Sequence, residues 1–145
     1  MPHIDHHGFT IFDVLIAVMI LAILSAVGVP SLEGLLRGYR LNGATRLVWL
    51  DVQRARMAAI KESRTIRVDF TATGYTAVRV GTGEVVFSRE LSADYPRITL
   101  GVTGNSVAFD STGMGPAPAR TVQVNGAAGQ KQFTILASGR VGTIS

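Results

Sequence analysis

The chain has 145 residues, 47% of them hydrophobic, a formal charge of +4 and no cysteine. Once an apolar N-terminal run is set aside, that length leaves room for one small domain and excludes a second. Lack of cysteine excludes disulfide staples, thiolate chemistry and cysteine-ligated metals, so the domain must stand on packing alone, while the excess of Arg and Lys favours acidic partners without naming one.

The first eight residues, Met1-Pro2-His3-Ile4-Asp5-His6-His7-Gly8, form a polar leader without Lys or Arg. Residues 9–30 follow as an almost wholly apolar run, interrupted in 14–29 only by Ser25 and Gly28. It reaches the ~20 residues that a bilayer's hydrocarbon core requires. A secretory signal would want Lys or Arg before such a run and a small-residue cleavage site after it; the first is missing, and Ala26-Val27-Gly28 meets the second only loosely. The run contains one acid, Asp13, and a carboxylate inside a membrane helix is costly unless something compensates it. Two readings are open: Asp13 meets a cation, helped by the positive end of the helix dipole, or it stays hydrated among headgroups.

Beyond Pro30, which lacks a backbone donor and should kink or loosen the helix there, helical periodicity continues to about Glu62. Leu41, Ala44, Val48, Val52, Ala55 and Ala59 recur at steps of three and four and form one seam. Leu32, Leu35, Leu36 and Tyr39 lie on a different side and would leave apolar surface for neighbouring helices. Altogether 9–62 predicts a helix of ~80 Å, a stalk rather than a core element.

From Thr65 the texture changes to β-branched residues with turn punctuation. Strands are expected at 66–70, 75–80, 85–88, 98–102, 106–109, 121–124, 132–136 and 140–144. Alternation of apolar and polar residues predicts sheets with one covered face, the helix seam supplying part of the cover. Residues 113–119, rich in Gly and Pro, read as an exposed loop. The fold class is therefore α+β: a long N-terminal helix packed on an antiparallel β domain.

Gly8-Phe9-Thr10-Ile11-Phe12-Asp13-Val14-Leu15-Ile16-Ala17, with the run closing on Val29-Pro30-Ser31-Leu32, resembles the N-terminus of type IV pilins and type II secretion pseudopilins. The resemblance implies that a prepilin peptidase cuts between Gly8 and Phe9 and methylates the new N-terminal amine. It also implies that Asp13, standing where the family usually has Glu, meets the N-terminus of a neighbouring subunit during filament assembly. The leader departs from the family in offering His6 and His7 where Lys or Arg is usual. All fourteen Lys and Arg lie from Arg37 onward, so the positive-inside rule votes for a cytoplasmic C-terminal side. The resemblance implies the opposite: a single-pass inner-membrane protein with its C-terminal domain in the periplasm. The organisation expected is a leader at 1–8, a membrane and assembly helix at 9–30, an amphipathic helix at 31–62 and a β-rich periplasmic domain at 63–145.

Three later stretches, Phe109-Asp110-Ser111-Thr112-Gly113, Phe133-Thr134-Ile135-Leu136 and Ser138-Gly139-Arg140-Val141, resemble the C-terminal half of the GspH/FimT family of minor pseudopilins and minor pilins. That implies a minor pseudopilin of type II secretion, built into a filament with other pseudopilins or pilins, or else a FimT-like minor pilin of a type IV pilus. Catalysis fares worst. The three His all precede Phe9, so a processed chain would have neither His nor Cys, the commonest general base and the usual zinc ligands. No nucleophile elbow or phosphate loop is present, and the carboxylates are scattered. No cofactor, metal or catalytic residue is expected; the chain reads as an enzyme's substrate. Nucleic acid is the rival partner, since some pilus-associated relatives carry Gly-Arg-x-Arg near the C-terminus; here Gly139-Arg140-Val141-Gly142 offers only Arg140, and the helix arginines read as a solvated face.

Overall fold

The computed structural model describes residues 10–145, the side chains of 27–30 excepted. Its first element, α1 (Ile11–Glu62), begins at a reciprocal cap. Asp13 Oδ2 accepts hydrogen bonds from the Thr10 backbone N–H and from the Thr10 hydroxyl, both at 2.9 Å, and Thr10 Oγ1 accepts from Asp13 N–H at 3.4 Å. This is the capping-box arrangement, with Asp13 at the third helical position. At the other end Ser63 takes a left-handed φ of 50°, Ser63 N–H donates to Ile60 C=O at 3.2 Å and Arg64 N–H to Ala59 C=O at 3.1 Å. The pair of bonds is a Schellman stop, so α1 ends at the predicted residue.

The chain divides into two compact units at Leu36/Arg37. In the first, every residue from Thr10 to Ala26 and from Ser31 to Leu36 is exposed. In the second, the six predicted seam residues of α1 are all buried, together with two polar residues the periodicity did not mark, Thr45 and Asp51. The Thr45 hydroxyl is satisfied locally, donating to Leu41 C=O at 2.7 Å.

Against this seam lie two antiparallel sheets. The larger orders β3 (Val85–Glu90), β2 (Gly74–Arg79), β1 (Ile66–Phe70) and β5 (Ser106–Phe109); the smaller orders β4 (Thr99–Val102), β6 (Arg120–Gly126) and β7 (Gly129–Ile135). Central β1 aligns Val68 with Ala77 on one side and Val107 on the other, and β6 aligns Val122 with Phe133. Period-two alternation sends Ile66, Val68, Val107, Phe109, Val122, Val124, Phe133 and Ile135 into one core with Val48, Val52 and Ala55. Small helix residues let the sheets come close; bulk is supplied by the strands.

Three expectations need correction. No strand forms over 140–144: Val141 makes one isolated bridge to Ile135, and the tail returns to β7 through Gly142 N–H to Thr134 C=O and paired bonds between Ser145 and Gln132. Gly139, at φ 75°, turns the chain too tightly for a continuous strand. A short helix, α2 (Leu91–Asp94), follows β3 where no helix was expected, plugging the core with fully buried Leu91. Finally, the loop over 113–119 is exposed at Met114 but buried at Gly113, which is pressed against α1.

Candidate functional site: the bare helix and the motif junction

From Ile11 to Ala26 α1 presents aliphatic side chains on every side. Ile11, Phe12, Leu15, Met19, Leu21 and Leu24 are each more than half exposed, and none is covered by another part of the described chain. A helix apolar all round needs an apolar surrounding, and this segment is long and apolar enough to cross a membrane. The Asp13 carboxylate accepts two hydrogen bonds from Thr10 at the start of the helix. Thr10-x-x-Asp13 is a cap signature that was readable and passed over. Gly8 and Phe9 lie outside the described residues, and α1 runs on through Pro30.

In the globular unit, two of the three C-terminal motif stretches meet on the helix. The Asp110 carboxylate accepts from Thr112 N–H at 2.8 Å, Thr112 Oγ1 at 2.6 Å and Met114 N–H at 2.9 Å, closing a turn. These bonds, that of the Thr112 hydroxyl first, hold its pKa below the ordinary 3.8. The turn exposes Gly113 C=O to Arg56 Nε, which donates to it at 2.8 Å. Gly139 then lies across it: a Cβ at 139 would overlap Gly113 O and crowd Arg56 Nε, and its φ of 75° is left-handed. Gly115 N–H donates to Ala137 C=O at 2.9 Å, and Trp49 Nε1 donates to Gly142 C=O at 3.0 Å. Gly113 and Gly139 are thus a backbone-to-backbone lock, with Arg56 and Trp49 fastening it to α1. Arg140, the candidate nucleic-acid contact, is exposed beside this lock.

A second constellation was not foreseen. Asp51 lies on the core face of α1, where its Oδ2 accepts from Tyr75 Oη at 2.6 Å and from Arg89 Nε at 2.8 Å. Burial, and next the bond to Asp51, push the Tyr75 phenol above its ordinary range, and the Asp51 contact holds Arg89 charged. The signal was an acid placed inside an apolar seam, which demands a cation; which of fourteen basic residues answers it was not readable. Beside it, Arg79 bridges Glu62 at 2.6 Å and Glu84 at 2.7 Å, fastening the end of α1 to the β2–β3 turn. Among the described residues no group of three His, Cys, Asp or Glu is placed to hold a metal ion.

A family model described as type II transport protein GspH matches residues 44–139, which include the Asp51 network, the Asp110 turn and Gly139. The chain belongs to this family. Two crystal structures of the type IV minor pilin FimU from Pseudomonas aeruginosa (strain PAO1) share its fold. The structure in space group P21 has a TM-score of 0.59 at 17% identity, over 70% of this chain and 85% of that one. The one in P65 has a TM-score of 0.58 at 16% identity, over 72% and 91%. No curated protein matches the chain in sequence. The GspH relative is therefore pilin-like, of the minor pseudopilin and minor pilin class, whose members are structural subunits assembling with other pilin-like chains.

Proposed function

We propose that the chain is a minor pseudopilin of type II secretion, a subunit of a short periplasmic filament that supports protein export across the outer membrane. The observation that carries the reading is the joining of a GspH-family globular unit to a helix whose first part is apolar on all sides. Prepilin peptidase removes residues 1–8 at Gly8/Phe9 and methylates Phe9. The helix then holds the chain in the inner membrane, with the globular unit in the periplasm. Large domains translocate with little regard to charge, which is why the Lys and Arg after Arg37 do not decide the topology. Asp13 is the assembly acid, and Pro30 is the hinge at which the helix bends when it leaves lipid.

The Thr10 cap supports this role for Asp13. An acid satisfied within its own chain is tolerable in lipid until a neighbour's N-terminal amine offers a stronger, charge-assisted bond. In the host, Asp13→Ala should leave cleavage at Gly8/Phe9 intact and abolish co-assembly with the other filament subunits. Normal incorporation of Asp13→Ala would refute the acid's role.

The fold likeness to FimU favours a second reading, a minor pilin of a type IV pilus, in which exposed Arg140 contacts DNA for uptake. Deletion separates the two: lost secretion with intact piliation supports the first, lost piliation or transformation the second. The globular unit's affinity for DNA, if it has this function, falls steeply with salt and drops in Arg140→Ala.

A further inference from the structure

At the end of the globular unit where α1 enters it, three separate stretches of chain meet. A Cβ on Gly43 would lie 3.2 Å from the Tyr95 ring, so the link between α2 and β4 rests against α1 there. A Cβ on Gly126 would come 2.6 Å from Ile98 Cδ1 and 3.4 Å from Leu41 Cδ1, which puts the β6–β7 hairpin at the same end. These contacts gather three cations: Arg40 of α1, Arg97 of the link, and Lys131, two residues into β7 from Gly129. Arg40 and Arg97 are exposed and Lys131 is half-buried. Among the described residues none of the three has an ion pair, and the link supplies one acid, Asp94, against them.

Two further features mark this end. Arg97 is held at a left-handed φ of 67°. Glycine or asparagine takes that conformation with little strain and arginine does not, so the turn itself asks for a different residue and the charge is what Arg97 adds. Two of the chain's three tyrosines are also here: Tyr39 is 76% exposed, and Tyr95 is half-buried against Gly43. Tyrosine is favoured where apolar lipid gives way to water. Ten residues separate Pro30, which closes the apolar run, from Arg40, a reach of ~15 Å if helical and ~35 Å at full extension. An arginine side chain that far from a hydrocarbon edge lies within about a Debye length, ~8 Å, of the headgroups.

We infer that Arg40, Arg97 and Lys131, with Tyr39 and Tyr95, form a docking surface for anionic phospholipid headgroups on the side where α1 leaves the bilayer. This rests on the membrane reading above. Nucleic acid would answer the same charge, but a bilayer that holds the apolar run is tied to this surface through the chain itself, at high effective concentration. Docking keeps the globular unit on the membrane until the helix is withdrawn from lipid.

The test uses the full chain in lipid nanodiscs of phosphatidylcholine alone or mixed with phosphatidylglycerol, with the photo-crosslinking residue benzoylphenylalanine in place of exposed Asn42. Irradiation should give severalfold more lipid adduct in the anionic discs, and high salt should erase the difference. Arg97→Asn should cut the adduct in anionic discs roughly fivefold without lowering the thermal midpoint, because asparagine suits the turn, and Arg97→Lys should preserve it. Arg40→Gln, Arg97→Asn and Lys131→Gln together should bring it down to the phosphatidylcholine level. Protease resistance checks that each variant folds. An adduct equal in the two discs, one untouched by Arg97→Asn, or one removed by added duplex DNA overturns the docking. Failure of the chain to enter either disc overturns the membrane reading with it, whereas incorporation without lipid preference overturns the docking alone.

Discussion

The two parts of α1 are built from similar aliphatic residues and put them to opposite use. Up to Leu36 the described side chains are exposed on every side, whereas from Leu41 onward one seam of six is buried and the opposite face is mixed. The difference lies in arrangement. A run without polar interruption requires an apolar medium, while a run with polar residues at helical intervals requires only one apolar wall. The wall here is two small sheets; on the proposed function, the medium for the first part is lipid and then neighbouring helices.

A charge placed in each part gives the sharpest contrast. Val48→Asp buries an unpaired carboxylate under both sheets and should cost about 4 kcal/mol or more, enough to unfold the globular unit, as seen by protease sensitivity. Val18→Asp should leave that protease resistance unchanged and reduce membrane insertion instead. Equal effects of the two on the globular unit would break the comparison.

Next in size is Asp51→Ala, which strands the Tyr75 hydroxyl and the Arg89 guanidinium and should cost about 2–4 kcal/mol in denaturant unfolding. Gly139→Ala should cost about 1–3 kcal/mol, because the residue has a left-handed φ and Gly113 O occupies the space a Cβ needs. Leu35→Ala, which removes an exposed side chain, should change stability by less than about 0.5 kcal/mol while weakening assembly.

The globular unit should also be acid-sensitive. Arg79 holds Glu62 below its ordinary 4.5, and the Thr112 hydroxyl holds Asp110 below its ordinary 3.8. A carboxylate whose folded pKa is depressed adds stability above its unfolded pKa, and that stability is lost as pH falls through the folded value. Thermal midpoints should therefore decline as pH drops below about 4.5, and Glu62→Gln with Asp110→Asn should flatten the decline.

Periodicity made the seam, the end of α1 and the order of seven strands legible, because each depends on local alternation that a core then rewards. What it could not reveal depends on distant parts meeting. Arg89 as the answer to Asp51 lies 38 residues away, and the Gly113–Gly139 lock needs two turns that are separated by β6 and β7. The expected strand at 140–144 failed for the same reason: its alternation was real, but Gly139 and the tail's attachment to Trp49 through Gly142 left no regular ladder. Thr10 was a different miss, a local cap hidden within a motif read only for its acid.

The central claim is that the bare part of α1 is a processed membrane and assembly element, and intact mass analysis of membrane-extracted chain tests it most directly. The account predicts a polypeptide beginning at Phe9 with one added methyl group. A chain that keeps its first eight residues, or one released into solution by cleavage beyond Ala26, would contradict it.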